Sequence, residues 1–315
     1  MRQNTPPDRA LLTRSAAAAS ITVALLLVGL KAWASWRTGS TAMLGSLADS
    51  TLDLLASGIT LFAVWFASKP ADHNHRFGHG KAEAVAAMVQ VMLIAVSAAG
   101  IALRAGEHLL GGQEVEAAGE GIAVSAIAIL ATLGLLAWQR YVISRTRSVA
   151  IRADFAHYQS DLLLNLAVIA ALVLDTVLGL SGADPVFGLL IAAWLVRSAW
   201  RAGSEAIEHL MDAEWPEDKR RRLIEVVAGH QGFSRLHDLR TRTAGDIDIA
   251  QFHIEMDPDL TVREAHDMLE RVENDLEQAF PGLELFVHID PRGQIDDPGN
   301  TLVEANEFEK LEKRP

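Results

Sequence analysis

At 315 residues, with 50% hydrophobic content and a mean hydropathy of +0.17, the chain is too apolar for an ordinary soluble protein and too charged to lie wholly in a membrane. It has no cysteine, which excludes disulfides and thiolate metal sites and leaves His and carboxylate as metal ligands. Residues 1–202 carry 15 Lys+Arg against 13 Asp+Glu, and residues 203–315 carry 13 against 27, an acidic balance that disfavours nucleic acid.

Six segments have the roughly 20 apolar residues that a membrane-spanning helix needs. They lie near 14–36, 41–66, 83–106, 118–140, 153–179 and 184–201, the last being the shortest. The start (Arg2, Arg9, Arg14) and the 67–82 and 140–152 loops are basic, whereas 107–120 carries four glutamates. The positive-inside rule therefore puts both termini in the cytoplasm. A cleaved signal peptide ending at Ala32-Trp33-Ala34 is the alternative for the N-terminus; it would leave five spans and less symmetric basic loops, so a retained first helix is preferred. Lys31 and Arg104 can snorkel to the interface.

Beyond residue 208 the pattern changes. Residues 216–229 read as a helix opened by Pro216 and closed by Gly229. Residues 235–243 and 247–256 alternate around Ala244-Gly245-Asp246 as a hairpin, 261–279 is an amphipathic helix with the capping box Thr261-x-x-Glu264, and 285–289 is a strand. The order α-β-β-α-β predicts a small α+β domain with helices on one face of a sheet. The chain is thus expected to be a polytopic α-helical membrane domain at 1–208, a soluble α+β domain at 209–292, and a disordered acidic tail at 293–315.

Two acid-bearing segments inside the spans carry the functional argument. Asp49 and Asp53 are four residues apart in the second span, and His157 and Asp161 are four apart in the fifth, so each pair shares a helix face. A charge at bilayer depth is expensive, roughly 2.5–3.5 kcal/mol on insertion scales, which makes these four residues candidates for function. Three carboxylates and one imidazole form a four-ligand set for Zn, Cd, Fe(II), Co or Mn rather than Cu(I). The alternative is hydrogen bonding between helices, or Asp49 as an acid at a helix start. The loop Asp72-His73-Asn74-His75-Arg76-Phe77-Gly78-His79-Gly80-Lys81 offers a second metal site or a solvated loop. In the soluble domain His237, His253, His266, His288 and Asp290 form a third candidate set, with Asp290 on the same strand face as His288.

At these residues the chain resembles a cation diffusion facilitator of the bacterial zinc/iron efflux type. The likeness is carried by Leu47-Ala48-Asp49-Ser50-x-x-Asp53, Phe77-Gly78-His79-Gly80-Lys81-x-Glu83, His157-x-x-x-Asp161, His237-Asp238-Leu239-Arg240-Thr241-Arg242 and His288-x-Asp290-Pro291. It implies six transmembrane helices, a cytoplasmic metallochaperone-like domain, and a homodimer in the bacterial inner membrane. It also implies Asp49, Asp53, His157 and Asp161 as the transport site, and Asp72, His75 and His79 as the loop site, with His73 a bystander. His237, His253, His266, His288 and Asp290 would be the cytoplasmic cluster, some bridging two metals, and Lys81 and Asp212 a charge pair where the domains meet.

The expected function is proton-coupled export of divalent metal, zinc first, and not an enzymatic one. Ligands must lose protons to bind metal, which gives protons as the counter-ion. A membrane metal sensor is the competing class. An intramembrane hydrolase would need an open coordination position, and neither HExxH nor GxSxG is present.

Overall fold

The computed structural model describes residues 7–38, 41–111, 122–178, 183–245, 247–293 and 306–312, and forms two compact units that part between Leu210 and Met211. The first unit contains α1 (Pro7–Thr38), α2 (Thr41–Ala67), α3 (Ala82–Gly111), α4 (Ile122–Thr146), α5 (Val149–Leu178) and α6 (Ala183–Leu210). Five of these are long and apolar enough to cross a membrane among the described residues. The remaining one, α5, has 30 residues, about 45 Å of helix, and carries the polar residues of the site. The segment expected to be shortest, 184–201, belongs to a 28-residue helix. Apolar composition stops near Arg197 and Arg201, but the backbone ladder continues beyond it.

Packing within this unit relies on small residues. Ala16, Ala17, Ala63, Ala86 and Ala150 form one buried cluster with Val64, Val142 and Ile151. Lipid tails are as apolar as leucine, so helices in a bilayer gain by close backbone approach rather than by hiding large side chains. Leu103, Leu130 and Val96 accordingly point outward. At one end of the bundle, polar ties join helix termini. Arg9 Nε donates to Thr146 O at 2.8 Å, Ser148 Oγ to Glu83 Oε2 at 2.5 Å, and Arg152 pairs with Glu205. Arg147, at φ 55°, turns the chain from α4 into α5.

The second unit contains α7 (Glu217–Ala228), β1 (Arg235–Ala244), β2 (Ile247–Met256), α8 (Val262–Ala279), β3 (Glu284–Pro291) and α9 (Glu307–Glu312). The sheet order is β1-β2-β3, with β1 antiparallel and β3 parallel to β2. The parallel pair is joined through α8, as a βαβ crossover requires. Thr261 accepts from the Glu264 N–H while the Glu264 carboxylate accepts from the Thr261 N–H and hydroxyl. These bonds, the hydroxyl's foremost, hold the Glu264 carboxyl below the usual glutamate range. Leu223 and Val227 of α7, Val272 and Leu276 of α8, and Leu236, Phe252 and Ile254 of the sheet build the core. The tail expected to be disordered departs from that expectation at 307–312. There Phe308 and Leu311 pack against the core as α9, because two apolar side chains three apart give an otherwise acidic segment a face to bury; residues 294–305 lie outside the described ones.

Close approach makes a measurable demand at the α3–α6 seam. A Cβ on Gly188 would lie 3.1 Å from Ala105 Cβ, whereas one on Gly134 would meet nothing within 4 Å. Gly188→Leu is expected to destabilise the protein by about 1–3 kcal/mol through overpacking. Gly134→Leu should leave the thermal midpoint in detergent nearly unchanged.

Candidate metal centres

The membrane unit brings α2 and α5 together through a row of polar contacts. Asp53, Ser57 and Thr60 follow one face of α2, and Asp154, His157, Tyr158 and Asp161 follow one face of α5. Tyr158 is buried, shares a 2.8 Å hydrogen bond with Ser57 Oγ, and donates to Ser20 O of α1 at 3.3 Å. One turn along α2 from Ser57, His157 Nε2 lies 3.1 Å from Asp53 Oδ1 and 3.7 Å from Asp161 Oδ2. Ligands about 2.0–2.1 Å from a tetrahedral zinc are about 3.4 Å apart, so these separations suit a bound ion. Asp161 Oδ2 is buried with no hydrogen-bond partner among the described residues, an acceptor left for a cation. Asp49 lies one turn before Asp53 on α2, but its side chain is exposed and outside this three-residue group.

Asp154 was not singled out by sequence reasoning. It is fully buried and accepts from Ser20 Oγ at 2.6 Å, Gln139 Nε2 at 2.8 Å and Gln90 Nε2 at 3.2 Å. Gln90 also donates to Thr60 Oγ1, so residues of all five helices from α1 to α5 meet here. The available signal was its position three residues before His157, together with two glutamines inside apolar spans.

The loop site forms from Asp72, His75 and His79. Asp72 Oδ1 accepts from the backbone N–H groups of Asn74 and His75 at 2.9 and 2.7 Å, which curls the loop. These bonds, the one from His75 foremost, hold its carboxyl below the usual range and favour its anionic form. His75 Nδ1 and His79 Nε2 each lie 3.3 Å from a different Asp72 oxygen. Gly78 at φ 78° allows the turn that buries His79, whose ring stacks edge-on against Phe66. His73 is exposed and outside the group.

In the soluble unit, the sheet face opposite the helices carries the third group. His253 pairs across the strands with both His237 and His288. A bulge between His237 and Arg240 makes this possible. It places Leu236 and Leu239 in the core together and turns His237 to the other face; Asp238, at φ 48°, absorbs the kink. Asp290 Oδ2 lies 3.0 Å from His253 Nδ1 and 3.5 Å from His237 Nε2, and its Oδ1 lies 3.2 Å from His288 Nε2. His288 is 63% exposed at its side chain, so the group reaches the surface. Asp238 Oδ2, 3.8 Å from His253 Nε2, is a further neighbour that sequence reasoning passed over. His266 is exposed on α8 and stands outside the His237, His253 and Asp290 group. Of the expected Lys81 and Asp212 pair, Lys81 Nζ donates to Leu210 O within the first unit, and Asp212 bonds Arg242 within the second.

Burying Asp154 without its donors' partner has a predictable cost. Asp154→Ala would remove an acceptor shared by three buried donors, each of which keeps one other bond, and a stability loss of about 1–3 kcal/mol is expected. Asp154→Asn, which keeps one acceptor, should lose less. Thermal unfolding in detergent compares the two.

Comparison with known proteins places both units. Residues 17–211 match a family model described as the cation efflux transmembrane domain, and residues 215–292 one described as the cation efflux protein, cytoplasmic domain. The chain is 41% identical over 285 residues to the cation-efflux pump FieF of Serratia proteamaculans, covering 90% of this chain and 95% of that protein. It is 42% identical to FieF of Yersinia enterocolitica, covering 92% and 96%, and 42% identical to FieF of Cronobacter sakazakii, covering 89% and 93%.

Proposed function

This chain belongs to the cation diffusion facilitator (cation efflux) family, and from that premise we propose that it exports divalent transition-metal cations, zinc foremost, in exchange for protons. It works as a homodimer in the bacterial inner membrane, with both termini in the cytoplasm. The observation that carries this reading is the Asp53, His157 and Asp161 group on α2 and α5, two long helices of largely apolar composition. Asp49 joins it as the fourth ligand by a change of side-chain rotamer, one turn away on the same helix.

The donor set supports zinc together with Cd, Fe(II), Co and Mn, since oxygen and imidazole serve all of them and no thiolate selects a softer ion. Metal and protons compete for the same atoms, because an imidazole or carboxylate must be deprotonated to bind a metal. An unperturbed histidine titrates near pH 6.5, so proton uptake on metal release is available close to neutrality. The loop group and the soluble cluster then act as accessory metal sites. In the soluble cluster the two oxygens of Asp290 face different histidines, which supports a carboxylate shared between two ions. Metal there would offset the acidic charge of two facing protomers and favour the dimer.

The test is zinc movement in proteoliposomes under an imposed pH gradient, read with a zinc-sensitive dye. The wild type should move zinc against the proton flux. Asp53→Ala, His157→Ala and Asp161→Ala should each lose at least about 100-fold in rate while remaining folded. Zinc binding without movement in the wild type would instead support the sensor reading.

A further inference from the structure

Lys31 of α1 makes its polar contacts within the helix bundle. Its ammonium turns onto α2, where Nζ donates to Ser50 Oγ at 2.6 Å and to Ser46 O at 3.3 Å. Ser50 is buried, follows Asp49, and precedes Asp53 by three residues. Lys31 is thus tied to the turn of α2 that bears both acids, and it lies within electrostatic range of Asp53, Asp49 and Asp161. A lysine serving only to close a helix contact would not need its charge among three carboxylates.

The arithmetic of that charge is specific. Among the four proposed ligands, with a neutral imidazole at His157, three carboxylates exceed a divalent cation by one negative charge and one ammonium cancels that remainder; Asp154, taken up by its own donors, stands outside this count. Inside a bilayer, where water cannot screen the excess, this balance decides whether a loaded site can change its exposure. The same ammonium repels an incoming cation through a low-dielectric medium, so it also weakens binding.

We propose that Lys31 is the fixed counter-cation of the membrane metal site: tethered by Ser50 and Ser46, it completes the neutrality of a site holding one divalent ion and sets the ion's affinity low enough for release. The inference rests on the reading of Asp49, Asp53, His157 and Asp161 as the transport site. It concerns a residue that binds no metal.

The chain has no cysteine of its own, which permits a direct test. Lys31→Cys can be purified once and divided. One half is treated with an aminoethylating thiosulfonate, which rebuilds an ammonium of nearly lysine length. The other half is treated with a methylating thiosulfonate, which leaves a neutral side chain. Both halves share one folding history, and Lys31→Gln and Lys31→Arg are run beside them. Zinc KM and turnover are measured in proteoliposomes, with Asp161→Ala as the control on the site. The neutral half and Lys31→Gln should show a KM about tenfold lower than wild type with slower turnover. The aminoethylated half and Lys31→Arg should return both values to within about twofold of wild type. Equal KM in the two halves would overturn the counter-cation role and leave Lys31 a packing residue. Wild-type kinetics in Asp161→Ala would overturn the site itself, and the inference with it.

Discussion

A carboxylate inside a bilayer has to find its hydrogen-bond donors on neighbouring helices, because no water is at hand to supply them. Asp154 of α5 meets that demand through Ser20 of α1, Gln90 of α3 and Gln139 of α4. Both glutamines turn an N–H toward it and leave their own Oε1 without a partner among the described residues, so the demand of the charge outranks that of the amides. Three helices are thereby fixed around the turn of α5 that precedes His157. Tyr158 adds the hold on α2 through Ser57. The position of His157 opposite Asp53 follows from these two anchors.

The soluble unit solves a different problem. Water is available there, and the difficulty is to give histidines from separate strands a common face while the core keeps its leucines. A regular β1 would put residues 237 and 239 on the same side. The bulge at Asp238 breaks that alternation, sending Leu236 and Leu239 inward and His237 across from His253. The parallel pairing of β3 then sets His288 beside His253 and Asp290 one pleat farther along. A single kinked residue thus brings His237 of the hairpin onto the face that carries His253, His288 and Asp290.

The three centres share imidazole and carboxylate chemistry but differ in what holds them in shape. The membrane group is set by interhelical bonds, the loop group by backbone N–H donors to Asp72 and a glycine turn, and the soluble group by strand register. Those supports differ in stiffness. A loop curled about an exposed aspartate has less burial to hold it than a helix pair anchored at a buried carboxylate, and opens more readily. Lys31 adds charge balance to the membrane centre, which neither of the others needs in water.

Much of this architecture was legible in the amino-acid sequence. Helix-length apolar runs, basic loops and the 3.6- and 2-residue periodicities are local properties, and they located six helices, whose polar ends run beyond the apolar segments, together with the hairpin, the capping box at Thr261 and the pairs Asp49–Asp53 and His157–Asp161. Local pattern also placed Asp72, His75 and His79 on one short loop. What depends on two segments meeting was not legible: that Asp53 rather than Asp49 faces His157, that Lys31 bonds Ser50, that Asp154 gathers donors from three helices, and that α9 finds a core to cover. Periodicity tells which face of an element is polar. Only the packed structure tells which other element that face meets, because that choice is made by shape and charge contributed from sequence-distant residues.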